Sequence, residues 1–436
     1  MKFSVIIPTY NRSLQLMLTL ASFEKQTVPM DQFEIIVVND GSSDDILERL
    51  QHYQPPYRLQ VVSLNETSGR SAARNAGVHA SQEDYLIFCD PDFLVTPRFI
   101  EVHAAYHKKY PNAVVSGVPK LWKSIYTHLH ADFSDQERLF AAEVLQRAGL
   151  WNDQYAEQNR TFEIVTPEDV RNETGMVQKV IAPWDIAGPI QRQYSKTDVA
   201  PWLLCVTRDV SMSKQLFQDA GGFDEKFRKY GFEDWELGYR LHRKGIKFIS
   251  MKEALGYHQE HSSASRRDDP DNNNLKMGLQ THGCKDPELS LFTVISPSED
   301  VQIYKNSLRI LQKLRSSNRR RTRYLAKMIR RACTKCANLL LSEPDSPEHS
   351  RFRSVLRSAF IETDRVFSLR RASKKRKLTK IKRIMAAASL KLEEPDDKKT
   401  AKKASKKKKS RRRRSWRPSA RKRRRAVAGR RRRYSR

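Results

Sequence analysis

No apolar run in this 436-residue chain approaches the roughly 18–20 residues that cross a bilayer. That argues against a membrane-embedded polymerase that threads its own product. Cysteine is scarce as well: there are five, an odd number with no spaced framework, so a disulfide scaffold is not expected and a reducing, cytosolic compartment is. Phe3-Ser4-Val5-Ile6-Ile7 reads as a strand and leaves no room for a charged and then an apolar leader region, so no signal peptide is expected. The last stretch lacks acids. Residues 365–436 hold 34 of the 82 Lys and Arg but only four of the 50 Asp and Glu (Glu393, Glu394, Asp396, Asp397), which leaves the first 364 residues close to neutral. Lys406 to Lys409, Arg411 to Arg414, Arg421 to Arg425 and Arg430 to Arg433 repel one another. The reading is a disordered tail without a core beyond about residue 365, drawn to polyanions such as nucleic acid, a membrane surface or an acidic polymer.

The near-neutral body is patterned differently. Nearly all-apolar runs at 3–7, 34–38, 59–64, 85–89 and 113–118 alternate with helical stretches at 14–25, 45–53, 71–80 and 98–108. Strands apolar on both sides belong in a parallel sheet covered on both faces, and strand–helix alternation predicts a doubly wound, Rossmann-like α/β domain. Residues 119–205, with Trp122, Trp151, Trp184 and Trp202, have patchy periodicity and read as partner-facing loops and helices. A helix near 233–244 ends at Gly245, and a strand follows near 246–251. The chain turns polar from 262 to 274. Amphipathic helices then run over roughly 299–341, with Ile303, Leu308, Leu311 and Leu314 on one face. The expected division is 1–118 and 119–262 as two halves of one domain, 263–364 as a polar linker and helical extension, and 365–436 as the tail.

The most informative pattern is Asp90-Pro91-Asp92 at the end of the run Tyr85 to Cys89. A residue before proline favours extended backbone, where positions i and i+2 face one side. Both carboxylates should then leave the strand end together, where open α/β sheets bind ligands, and a divalent cation is the natural guest. Asp40 ends the second strand. Arg70 and Arg74, four apart on a helix that opens at Gly69, share a face at a helix N-terminus suited to phosphate.

Five elements in order carry a family resemblance: Val5 to Arg12 (Val-Ile-Ile-Pro-Thr-Tyr-Asn-Arg), Val37 to Asp44, Gly69 to Gly77, Asp90-Pro91-Asp92, and Gly221 to Glu225 leading to Phe232-Glu233-Asp234-Trp235-Glu236. Over residues 1–262 the chain resembles the family 2 glycosyltransferases of the GT-A fold, with a galactosyltransferase-like Gly-Gly-Phe-Asp and Glu-Asp element. The resemblance implies a metal-dependent, inverting transfer of a sugar from a nucleotide donor, UDP-linked by preference, to a hydroxyl of a glycan, glycolipid or protein acceptor. It assigns nucleotide binding to Pro8, Thr9, Tyr10, Arg12, Asp40, Arg70, Arg74 and Asp90. Mn²⁺, or Mg²⁺, falls to Asp92 and His258 with Asp90 in support, His261 being the weaker candidate. Asp234 becomes the general base with Glu233 beside it, and Asp224 and Trp235 contact the acceptor. In the first turn of its helix, Asp234 should be ionised at pH 7.

One departure stands out: where many relatives carry a Gly-Asn step, this chain has Arg208-Asp209-Val210-Ser211-Met212-Ser213. Three competing readings remain. Cys333-x-x-Cys336 with His282 and Cys284 could hold zinc. The chain could be a polyanion-binding structural component, its Ser-flanked basic blocks similar to spore-coat proteins, with an inactive transferase domain. A nucleotidyltransferase on a similar core would have no use for Glu233-Asp234.

Overall fold

The structure, a computed structural model, describes residues 1–117, 123–157, 159–183, 188–262, 273–369 and 373–393. Trp122, Trp184 and the basic blocks beyond 393 lie outside the described residues.

Strands β1 (Phe3–Thr9), β2 (Phe33–Asn39), β3 (Arg58–Ser63) and β4 (Tyr85–Cys89) pair in parallel in the order β3-β2-β1-β4. β1 and β2 are buried along their whole length, as strands covered on both faces must be. Helices Ser13–Phe23, Arg70–Ala80 and Phe99–Lys109 connect and cover them. Helix Arg70–Ala80 lies very close to the sheet at Gly77, where an added Cβ would meet Ile6 Cγ2 at 2.5 Å.

The remaining strands are β5 (Phe93–Val95), β6 (Ala113–Ser116), β7 (Ser124–Ile125), β8 (His128–Leu129), β9 (Phe162–Glu163), β10 (Asp209–Ser213), β11 (Lys247–Ser250) and β12 (Gly256–Gln259). The main sheet has seven strands, β11-β6-β10-β4-β1-β2-β3, and β10 runs antiparallel to both its neighbours. This is the expected α/β architecture with a mostly parallel sheet. Because β10 is reversed, it begins where β4 ends, with Asp209 opposite Cys89. A second sheet, β5-β12-β7, sets His258 opposite Phe93. β8 and β9 form a small antiparallel pair in a separate apolar cluster, which also takes in helix Asp135–Arg147 with its Ser134/Glu137 capping box. Trp151 packs edge-on against Tyr155 in that region, while Trp202 is fully buried in the main core.

Three expectations need correction. Asp90-Pro91-Asp92 does not continue β4. The Phe93 N–H donates to the Asp90 carbonyl at 3.2 Å, closing a tight turn that sends the two carboxylates apart. The extension after residue 273 is not merely appended. Helices Pro297–Arg315, Arg320–Ser342 and Pro347–Ser368 share one continuous apolar core with the sheet domain, joined where the Trp202 indole N–H donates to Glu288 at 2.7 Å. Nor does the core end at 365. Helix Lys374–Glu393 buries Ile381, Met385 and Ala388 against helices Arg320–Ser342 and Pro347–Ser368. Its dense lysines and arginines hide a recurring apolar stripe that covers the hydrophobic sides of those two helices.

Candidate active site

The C-terminal ends of β1, β2 and β4 open on one crevice. Pro8 closes β1 opposite Val38, and Thr9 beside it is buried with an unpartnered hydroxyl. Tyr10 is half exposed. Asp40, after β2, accepts hydrogen bonds from the backbone N–H groups of Ser68 (2.7 Å) and Gly69 (3.0 Å). Burial raises its carboxyl against those two donors. Asp40 therefore anchors the entry to helix Arg70–Ala80, where Gly69 takes φ +93° and a Cβ would strike the Arg228 carbonyl at 2.9 Å. Only glycine suits both demands.

Arg70 stacks over the Tyr230 ring at 4.4 Å. Arg74 is buried and reaches Glu233 at 3.2 Å and Asp90 at 3.6 Å, and Arg208 meets the other Asp90 oxygen at 3.5 Å. A chain of alternating charge, Glu233–Arg74–Asp90–Arg208, thus crosses the crevice floor. It leads toward a second cluster, where Asp92 Oδ2 lies 3.0 Å from His261 Nε2 and 3.7 Å from His258 Nε2. Among the described residues, Asp92, His258 and His261 are the one group whose ligand atoms converge, all within 4.8 Å of one another. Asp90, held by two arginines, stands outside it. His261, the weaker candidate by sequence, sits nearer Asp92 than His258 does, and Arg12 Nη2 approaches its Nδ1 at 3.3 Å.

These residues fit a divalent cation. His261 Nδ1 lies 3.0 Å from the Ser262 carbonyl and 3.3 Å from Arg12 Nη2, and its Nε2 faces Asp92 Oδ2. His258 Nδ1 faces Glu260 at 3.3 Å. Outer partners that fix the imidazole tautomer are what metal-binding histidines use. Asp92 Oδ1 is buried with no hydrogen-bond partner. Burial would raise the Asp92 carboxyl, yet His258, His261 and the cation of Arg208 hold it far below its ordinary range. Burial and the same arginine push the His258 imidazole down, toward the neutral form a metal requires. A mixed carboxylate/imidazole set favours Mn²⁺ over Mg²⁺.

Glu233 and Asp234 open helix Glu233–Arg243 directly after Phe232, whose φ of +74° is rare for an aromatic residue. Phe227 and Phe292 pack against its ring. The Asp234 carboxyl accepts from the Trp235 N–H at 2.7 Å and the Thr207 N–H at 3.4 Å. Burial and the adjacent Glu233 nevertheless push it up to about 7, so the expectation of full ionisation at pH 7 is corrected: desolvation and like charge outweigh the helix dipole. Glu233 Oε2 is buried and unpartnered.

A cavity of about 780 Å³ takes in the arginines, Asp90 and the Glu233-Asp234 pair, but not Asp92, His258 or His261. Arg70, Arg74, Asp90, Arg208, Glu233 and Asp234 line one side, and the extension closes the other through Phe292 and Ser296 to Gln302. Trp235 lies in its wall, its indole donating to the Leu203 carbonyl at 3.3 Å. Asp224 is not in the lining. It accepts from the Lys226 N–H and shapes the turn after Phe223. Sequence reasoning missed Arg208 and the contribution of residues 292–302. Arg208 was visible as the break in the family pattern, whereas no local signal marks 292–302. The zinc alternative does not assemble: Cys333 and Cys336 are buried within helix Arg320–Ser342, and His282 pairs with Glu236 at 2.8 Å.

Residues 4–146 match the glycosyl transferase family 2 model, and 205–262 match the model described as the N-terminal domain of galactosyltransferase. Residues 4–146 are a glycosyl transferase family 2 domain. It is 30% identical over 275 residues to the uncharacterized glycosyltransferase YfnE of Bacillus subtilis strain 168, covering 60% of this chain and 66% of that one. To validoxylamine A glucosyltransferase of Streptomyces hygroscopicus subsp. jinggangensis it is 30% identical over 268 residues, 59% of this chain and 55% of that one. To the chondroitin synthase of Escherichia coli it is 28% identical over 258 residues, 59% of this chain and 34% of that one. The matched stretch thus spans less than two thirds of each relative. Among solved structures, S. aureus TarS 1–349 in complex with UDP-GlcNAc aligns over 83% of this chain and 92% of that one at 15% identity, with a TM-score of 0.45, a likeness too loose to bear on function.

Proposed function

We propose that this glycosyltransferase moves a hexosyl group from a nucleotide sugar, UDP-linked, to an acceptor hydroxyl with inversion at the anomeric carbon. The observation that carries the reading is one cavity lined by Asp234, a carboxylate with a raised proton affinity, together with Arg74, Asp90 and Arg208, the last of which acts electrostatically on Asp92 of the Asp92–His258–His261 cluster outside that lining. The relatives named as a glucosyltransferase and a chondroitin synthase agree with sugar transfer.

In this reading Tyr10 stacks on the base, Pro8, Thr9 and Arg12 line its pocket, and Arg70 and Arg74 face the phosphates. Asp40 can still accept the base imide N–H through a free lone pair. Asp92, His258 and His261 would hold Mn²⁺, which supplies a Lewis acid for the diphosphate. Asp234 takes the acceptor proton as the oxygen attacks. Glu233, anchored by Arg74, and Trp235 orient the acceptor, and Asp224 acts only by shaping their support. The extension supplies the far wall of the acceptor cavity, so acceptor choice rests partly on residues beyond 262. The tail would hold the enzyme against a polyanion, at a cytoplasmic membrane surface or an anionic assembly.

Asp92→Asn tests the reading. It keeps shape while removing a ligand charge, and UDP should lose its Mn²⁺-dependent thermal shift while the fold survives. A full Mn²⁺-dependent shift in this variant would overturn the metal assignment. Anomeric configuration of the product by NMR decides the stereochemistry.

A further inference from the structure

We infer that Arg208 is the cation that takes the β-phosphate of the donor, in place of the carboxylate it now meets. The inference rests on the donor site proposed above. It starts from the reversed strand β10. Since Asp209 pairs with Cys89, the residue just before β10 is delivered beside the residue just after β4, and Arg208 comes to Asp90 at 3.5 Å. A parallel strand in that place would have put residue 208 at the opposite end of the strands, away from Asp90.

Arg208 is four-fifths buried, lines the cavity, and acts electrostatically on both Asp92 and His258. A cation so placed serves the group that the cluster is built to hold. Its ion-pair partner is Asp90, at the long distance of 3.5 Å, and the other Asp90 oxygen faces Arg74. Phosphate oxygens are better partners for a guanidinium than one long carboxylate contact, because they accept two parallel N–H bonds. Asp90 keeps Arg74 when Arg208 turns away, so no buried charge is stranded.

The chemistry places the need there. When the acceptor oxygen attacks the anomeric carbon, the bond from that carbon to the β-phosphate oxygen breaks. Its electron pair stays on the leaving diphosphate, and the acceptor proton passes to Asp234. The new negative charge appears on the phosphate nearest Asp92. A guanidinium beside it is already oriented by the sheet and stabilises the charge as it forms. Arg74 divides its guanidinium between two carboxylates, Glu233 and Asp90, whereas among the described residues Arg208 meets only one and is the freer to turn.

The test compares UDP and UMP, bound to the full-length protein in the presence of Mn²⁺ and followed by calorimetry. Arg208→Gln should weaken UDP by about tenfold or more, the usual worth of a hydrogen bond to a charged group, and leave UMP unchanged. Arg208→Lys should recover part of the loss. UDP-sugar turnover should fall further than UDP affinity, because the charge is greatest in the transition state. If Arg208→Gln binds UDP as tightly as wild type, or loses UMP and UDP equally, the inference fails, the second result marking Arg208 as structural. If wild-type protein binds neither nucleotide, the donor reading itself fails and takes this inference with it.

Discussion

At Asp234, two opposing effects meet on one carboxyl. The first turn of a helix favours charge, whereas burial beside Glu233 disfavours it, and burial wins by moving the group from 3.8 to about 7. A base must be deprotonated to act, so transfer should fall below pH 7 and level off above it. The fold binds this proton more tightly than the unfolded chain does. The stability it contributes is therefore complete below the ordinary carboxylate range and lost as pH rises through 7. Asp234→Asn removes that loss. Its Tm relative to wild type should be more favourable at pH 8 than at pH 5, while turnover drops by ~10²–10⁴-fold. A flat pH–rate profile, or near-normal transfer by the variant, would show that another group accepts the proton.

The element that places the arginines is helix Arg70–Ala80, held by backbone rather than side-chain fit. Gly69 makes its entry, Asp40 ties that entry down through two backbone N–H groups, and Gly77 lets the helix lie against Ile6. Gly77→Val should force the helix away from β1 and β2 and destabilise the protein by roughly 1–3 kcal/mol, the usual range for overpacking. Urea unfolding measures the loss. Because Arg74 sits on the displaced helix, UDP affinity should weaken in the surviving fold. A variant of wild-type stability would mean that the sheet yields more easily than the 2.5 Å approach implies.

For the whole molecule, the boundary between folded body and basic tail decides how a truncation behaves. A chain ended after 393 keeps Ile381, Met385 and Ala388 on their neighbours, whereas one ended after 364 uncovers that surface. The longer chain should keep the full-length Tm and its turnover of small acceptors. The shorter should melt lower, by calorimetry, because burying side chains such as Ile381 and Met385 is worth about 1.5–3 kcal/mol each. Both should bind heparin less tightly than the full chain, whose binding should fall steeply with salt as neutralised anions release their counterions. Equal Tm for the two truncations would show that helix Lys374–Glu393 adds nothing to the core.

What the sequence determined by itself is local or short in reach. The apolar runs at 3–7, 34–38 and 85–89 required buried parallel strands, whereas the run at 59–64 became the edge strand β3 with no buried residue, and the Pro8-to-Arg12, Asp40, Gly69-to-Gly77, Asp90-Pro91-Asp92 and Glu233-Asp234 elements marked the family because each is a strand end or a helix start with its own chemistry. Tertiary structure decided whatever depends on partners distant in the chain. His261 reached Asp92 from far along the chain, Arg208 reached Asp90 because β10 runs backward, and burial raised the proton affinity of Asp234 in a way no helix-dipole argument contains. Residues 292–302 became a cavity wall only once the extension docked on the sheet domain, and helix Lys374–Glu393 became core only with two other helices to cover. Sequence periodicity records which face of an element is apolar, but the surface that face meets, and the charge placed beside a buried carboxyl, are set by packing across hundreds of residues.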